Sequence, residues 1–182
     1  MRDIYISPIK AVLHCTDDPA VDFIVCTSED YLSKPLPSNV LRLDFRDTVD
    51  VDDPAAFSAQ LAADVASFLQ RPDARPELFV CCDCGVSRSA ALAAAIRCAD
   101  GGSDFSIWDD PNYMPNPLVY RLTRRVLNAP ITEDALNDRL ALNATARRKA
   151  FSKKVTQTGA VEAKMPNGCR KISGKPNVTA TL

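Results

Sequence analysis

Apolar positions along this 182-residue chain recur with two periods. Short runs at 3–7, 21–27, 40–45 and 78–82 are continuously apolar or alternate with polar residues, as buried or half-buried strands do. Longer stretches follow the 3.6-residue period of helices. Over 54–70, Phe57, Leu61, Val65, Phe68 and Leu69 fall on one stripe, and Asp53-Pro54 reads as the cap and first residue of that helix. The alanine-rich segment 89–98 is strongly helix-forming and ends at Gly101-Gly102, where a left-handed residue suits a helix C-terminus. Further helices are predicted over 117–128 and over 131–154, the last with Leu136, Leu140, Ala144 and Phe151 along one face. Residues 9–15 fit a short helix and 33–39, with two prolines, a loop. An irregular loop is predicted over 104–116, where Trp108 and Tyr113 either pack the loop down or line a pocket. Strands alternating with helices predict an α/β fold, with a mainly parallel central sheet and helices on both faces.

The length suits one domain with a modest appendage. The expected division is a catalytic domain over 1–130, a helical extension over 131–154 and a flexible basic tail over 155–182. No apolar run approaches a membrane span and the N-terminus lacks a signal-peptide pattern. Seven cysteines are an odd number, and three fall within four positions. That is a poor disulfide framework and predicts a reducing, cytoplasmic setting. Ten basic and four acidic residues follow position 130, although the whole chain carries a formal charge of −1. The basic run Arg147-Arg148-Lys149 with Lys153 and Lys154 reads first as a solvated helix end.

The chemistry concentrates in Leu78-Phe79-Val80-Cys81-Cys82-Asp83-Cys84-Gly85-Val86-Ser87-Arg88-Ser89. This is a strand, a tight loop and a helix start. A bare Cys-x5-Arg arises by chance about 0.5 times in such a composition, but adding Gly85 and Ser89 lowers that to about 0.002. Zinc is disfavoured, since the C-x2-C spacing of Cys81 and Cys84 has no second pair to complete it and no histidine is near. Only a thiolate attacks, and a helix N-terminus beside an arginine favours negative charge at Cys82. The backbone amides of Asp83, Cys84, Gly85, Val86, Ser87 and Arg88 can cradle phosphate oxygens, with the Arg88 guanidinium as a bidentate fork. Gly85 permits the turn, and Ser89 is placed to hydrogen-bond the Cys82 sulfur as it leaves. A carboxylic acid on a facing loop completes the chemistry by protonating the leaving oxygen and later activating water. Asp47, just past the strand over 40–45, is the candidate, with Asp50, Asp52 and Asp53 nearby.

The segment from Val80 to Ala90 resembles the phosphate-binding loop of dual-specificity protein phosphatases, members of the protein tyrosine phosphatase superfamily. The stretch Leu41-Arg42-Leu43-Asp44-Phe45-Arg46-Asp47-Thr48 is similar to the family segment that ends in the general acid. The resemblance covers about residues 40–100. It implies a protein tyrosine phosphatase-like fold, with Cys82 as nucleophile, Arg88 as phosphate binder, Asp47 as acid and base, and Ser89 as leaving-group aid. It also implies a cysteinyl-phosphate intermediate, no metal and no cofactor. A phosphorylated protein or peptide is the expected partner, ahead of nucleic acid and with no membrane.

One departure is that Cys81 stands where the family carries histidine, and a thiol is a poor donor in its place. Cys81 and Cys84 are either small buried residues or thiols able to form a disulfide with an oxidised Cys82. Two other readings stay open: a phosphate-binding pseudophosphatase, and a rhodanese-like sulfur-transfer or redox protein.

Overall fold

A computed structural model describes residues 2–28 and 36–162. Contacts divide the chain into a unit from Met1 to Ala150 and a second from Phe151 to Leu182. The first unit is built on strands β1 (Asp3–Pro8), β2 (Val21–Cys26), β3 (Val40–Leu43) and β4 (Glu77–Cys82). They form one four-stranded sheet in the order β1-β4-β2-β3, and every pairing is parallel. The predicted α/β class with a parallel sheet is therefore the observed one.

Side chains alternate across the sheet, as strand geometry requires. Ile24, Cys26, Leu43, Leu78, Val80 and Cys82 enter the larger core, with α2 (Ala59–Gln70), α3 (Arg88–Ala99) and α5 (Pro117–Val126). Phe23, Val25, Val40 and Cys81 enter a smaller core capped by Ile9 and Val12 of α1 (Ile9–Val12). Both faces thus carry helix, very unequally. On the thinner side Tyr5, Phe79 and Phe23 stack across three strands, with centroid spacings of 4.8 and 5.6 Å.

The alanine-rich α3 is buried from Arg88 to Ile96. Small side chains let it approach β4 and α5 closely, so the residues at its start are held by packing on all sides. It ends as predicted, with Gly101 at φ +83° and the Gly102 amide donating to the Arg97 carbonyl at 2.9 Å.

Three expectations are corrected. First, α2 starts at Ala59, not at position 54. The Asp53 carboxylate accepts from the Ala55 amide at 2.9 Å and closes a separate turn, while the Ser58 hydroxyl accepts from the Leu61 amide at 3.2 Å and caps the helix. Phe57 is buried ahead of the helix, 4.8 Å from the Phe45 ring centroid.

Second, the loop over 104–116 contains a short helix α4 (Phe105–Trp108), and Trp108 is core. Its ring meets Tyr120 edge-on at 5.1 Å, and its Nε1 donates to Asp104 at 3.1 Å. Asp104 also accepts from the Tyr120 hydroxyl and from Arg139, so α4, α5 and α6 (Glu133–Glu162) share one buried carboxylate.

Third, the inward face of α6 keeps Leu136 but not Leu140, Ala144 or Phe151. Leu136, Asn143 and Ala146 are buried, and Leu140 and Ala144 are exposed. Asn143 Nδ2 donates to the carbonyls of Trp108 and Tyr113 at 3.0 and 3.1 Å, which draws that face toward the 108–113 loop. The segment 131–150, expected as the start of an extension, is thus packed into the first unit. The helix continues to Glu162, into the segment expected as tail, and the remainder of the tail, 163–182, lies outside the described residues. No helix among the described residues is long and apolar enough to cross a membrane.

Candidate functional site

Strand β4 delivers Cys82 to the C-terminal edge of the sheet, the side on which open α/β sheets bind ligands. In register it stands between Pro8 of β1 and Cys26 of β2. The chain then turns through residues 83–87 and enters α3 at Arg88. Gly85 makes that turn at φ +69°, and a Cβ there would lie 2.6 Å from the Pro8 nitrogen and 2.8 Å from the Ser7 carbonyl carbon. Both the conformation and the close approach of two backbones require glycine.

The loop brings together all four predicted catalytic residues. Cys82 Sγ lies 3.0 Å from Ser89 Oγ, with both side chains buried. Arg88 is also buried, and its guanidinium is fixed at two of its three nitrogens. Nη1 donates to the Phe45 carbonyl at 3.0 Å and Nη2 to Asp83 Oδ2 at 2.5 Å. The remaining nitrogen, Nε, is buried without a partner among the described residues. Burial alone would lower the Arg88 pKa, but the hydrogen bond and charge of Asp83 raise it above the ordinary arginine value. The guanidinium therefore stays a cation at any working pH. Asp83 is anchored in turn, since its Oδ1 accepts from the Thr27 hydroxyl at 2.7 Å.

Asp47 meets the loop at Ser87. It lies in the segment following β3, and its Oδ1 accepts from the Ser87 hydroxyl at 2.9 Å. Ser87 is the N-cap of α3 yet makes no side-chain bond to its own helix. The same Oδ1 accepts from Asn116 Nδ2 at 2.9 Å. Two other carboxylates of the acidic stretch are employed elsewhere. Asp53 pairs with Arg46 at 3.0 Å, and the Asp50 carboxylate accepts from the Asp52 amide at 3.0 Å. A third segment also supports the loop, where the Met114 amide donates to the Val86 carbonyl at 3.0 Å.

Of the six candidate phosphate-binding positions, Gly85 makes the turn, Asp83 and Ser87 carry the contacts just described, and Val86 accepts through its carbonyl. Cys84 is exposed. Cys81 is buried on the opposite face of the sheet from Cys82, and burial pushes its thiol up to about 12. Burial likewise raises the thiol of Cys26, with the neighbouring Cys82 adding to the effect. The six described cysteines are all free thiols.

Three contributors are absent from the sequence reading: Thr27, the Phe45 carbonyl and Asn116. Asn116 had a visible signal, because Asn-Pro before an apolar run marks a helix start. The side chain does cap α5, accepting from the amides of Leu118 and Val119. Its second role, toward a residue 69 positions away, leaves no local trace.

No protein-family model matches this chain, and no curated protein matches its sequence.

Proposed function

We propose that the chain is a cysteine-dependent phosphomonoester hydrolase of the dual-specificity phosphatase type, working through a cysteinyl-phosphate intermediate. The observation that carries this reading is the convergence of Cys82, Ser89, Arg88 and Asp47 on one glycine turn, with the Arg88 Nε left unpartnered. In the first step Cys82 Sγ attacks phosphorus, forming the S–P bond as the P–O bond to the leaving group breaks. Asp47 gives its proton to the departing oxygen. In the second step Asp47 takes a proton from water, whose oxygen attacks phosphorus, and the P–S bond breaks. Ser89, 3.0 Å from the sulfur, donates a hydrogen bond to the departing thiolate. Charge on the equatorial oxygens is met by the loop amides and by Arg88, the dominant contribution in phosphoryl transfer.

A rhodanese-like sulfur carrier has no use for a carboxylic acid facing its loop, so the Ser87–Asp47 bond favours hydrolysis. Asp83 within the loop disfavours polyanionic ligands such as nucleic acid. A phosphorylated protein or peptide is the substrate class proposed. Free thiols at every described cysteine suit a reducing, cytoplasmic setting. The test is hydrolysis of a generic aryl phosphate by the wild type and by Cys82→Ser, Arg88→Lys and Asp47→Asn, with vanadate as competitor. Turnover that requires Cys82 supports the reading. Binding of vanadate without turnover at any pH indicates a pseudophosphatase instead.

A further inference from the structure

Resting on the hydrolase reading, we infer that Asn116 is a positioning residue for the general acid, fixing which oxygen of Asp47 carries the proton and holding it over the catalytic loop before substrate arrives. Asn116 is 4 % exposed, so each of its polar atoms needs a partner. Nδ2 donates to Asp47 Oδ1 at 2.9 Å and to the Thr48 carbonyl at 3.0 Å. Oδ1 accepts from the Leu118 amide at 3.0 Å and the Val119 amide at 3.2 Å. Two donors and two acceptor sites are the full capacity of a primary amide, and all are used. The orientation of the amide is also determined. Flipped, it would set NH2 against two N–H groups and its oxygen against a carboxylate and a carbonyl.

Two consequences follow for Asp47. Its Oδ1 already accepts from both Ser87 and Asn116, so Oδ2 is the oxygen that carries the proton to the leaving group. The acid-bearing segment is also held through its main chain at Thr48, and Asn116 roots both contacts in the N-terminus of α5, which packs on α3 in the larger core. The acid therefore sits on rigid helical structure through a residue that need not touch substrate. Positioning of this kind removes the reorganisation otherwise needed in the transition state.

A helix cap alone would predict a different pattern of effects. Capping contributes stability and nothing that depends on the leaving group. Asn116→Ser separates the two roles, because serine retains an N-cap acceptor but lacks the amide donors to Asp47 and Thr48. The experiment measures kcat/KM of the wild type, Asn116→Ser, Asp47→Asn, the Asp47→Asn/Asn116→Ser double variant and Cys82→Ser. The substrates are p-nitrophenyl phosphate, whose leaving group needs little help, and phenyl phosphate, which needs a proton. Melting temperatures are recorded for each protein.

Asn116→Ser is expected to keep a near-wild-type melting temperature and to lose about 10- to 100-fold on phenyl phosphate, within the range of general-acid contributions. On p-nitrophenyl phosphate it is expected to lose less than about threefold, and the double variant to be no worse than Asp47→Asn, as befits residues acting as one unit. Equal losses on both substrates, or effects that multiply in the double variant, overturn the inference while Cys82-dependent turnover stands. Turnover that survives in Cys82→Ser, or is absent in the wild type, overturns the hydrolase reading and this inference with it.

Discussion

Cys81 and Cys82 are neighbours in sequence and lie on opposite faces of the sheet. Cys82 opens toward Ser89 and the glycine turn, while Cys81 is sealed among Ile9, Val12, Phe23 and Val25. One residue along a strand thus separates the proposed nucleophile from a core side chain.

This separation has a pH signature. The Cys81 thiol is pushed from 9.0 to about 12 by burial, so the folded state keeps it neutral where the unfolded chain ionises it. A raised folded pKa gives stability that is fully present below the unfolded value and is lost as pH rises toward the folded one. Unfolding free energy is therefore expected to fall between about pH 9 and 12, and less steeply in Cys81→Ala. Denaturant titrations of both proteins across that range check it, and parallel slopes would exclude the contribution. Iodoacetamide mapping under native conditions is expected to label Cys84 and Cys15, both exposed, well before Cys81 and Cys26.

Gly85 cannot be replaced without moving β1 or the loop. A Cβ would meet backbone atoms of Ser7 and Pro8 below 3.0 Å, and φ of +69° is strained for other residues. Gly85→Ala is expected to cost about 1–3 kcal/mol of stability, with a larger proportional loss of aryl phosphate hydrolysis. Wild-type kcat/KM in this variant would show that the loop needs no such approach.

Asp83 orients Arg88 and is itself held by Thr27. Asp83→Asn keeps the shape and removes the charge, so the guanidinium loses its strongest anchor. The expected result is a fall in kcat/KM of about tenfold, or about 1.4 kcal/mol, with Thr27→Val lying in the same direction and smaller. A gain in kcat/KM would mean that the Asp83 carboxylate competes with phosphate for Arg88.

The buried carboxylate of Asp104 joins Trp108, Tyr120 and Arg139. Burial alone would raise its pKa, but the hydrogen bonds and charge of Arg139, with Tyr120, lower it below the ordinary value. Its stabilisation is present above the unfolded carboxylate pKa and is lost as pH falls through the folded one. Asp104→Ala leaves Arg139 without its buried counter-charge and is expected to cost about 3–5 kcal/mol at neutral pH. Denaturation curves at neutral pH and near pH 3 are expected to show a smaller difference from the wild type at the acid end.

Much of the candidate-site strand and loop was legible because its determinants are local. The apolar run ending at Cys82, the glycine turn and the alanine-rich helix follow one another within about twenty residues, where period and composition act directly. Asp47 was also reachable, since it follows a short strand. Polar residues that turn inward were not legible. Asn143 and Arg139 of α6 bind groups on a loop 35 residues upstream, so a face chosen by apolar spacing fell on Leu140 and Ala144 instead. Asp53-Pro54 carried the chemistry of a helix start and forms only a turn, because Ser58 supplies a second cap nearer the apolar stripe. Asn116 announced its helix and hid its partner.

In the proposed reaction Cys82 forms a covalent phosphoryl intermediate, resolved with the help of Asp47. The most direct measurement is intact-mass and peptide analysis of Asp47→Asn quenched during turnover of p-nitrophenyl phosphate, beside Cys82→Ser treated identically. The expected result is one phosphoryl group on Cys82 in the first protein and none in the second. Turnover by the wild type with phosphate found on another residue, or persisting without Cys82, would contradict it.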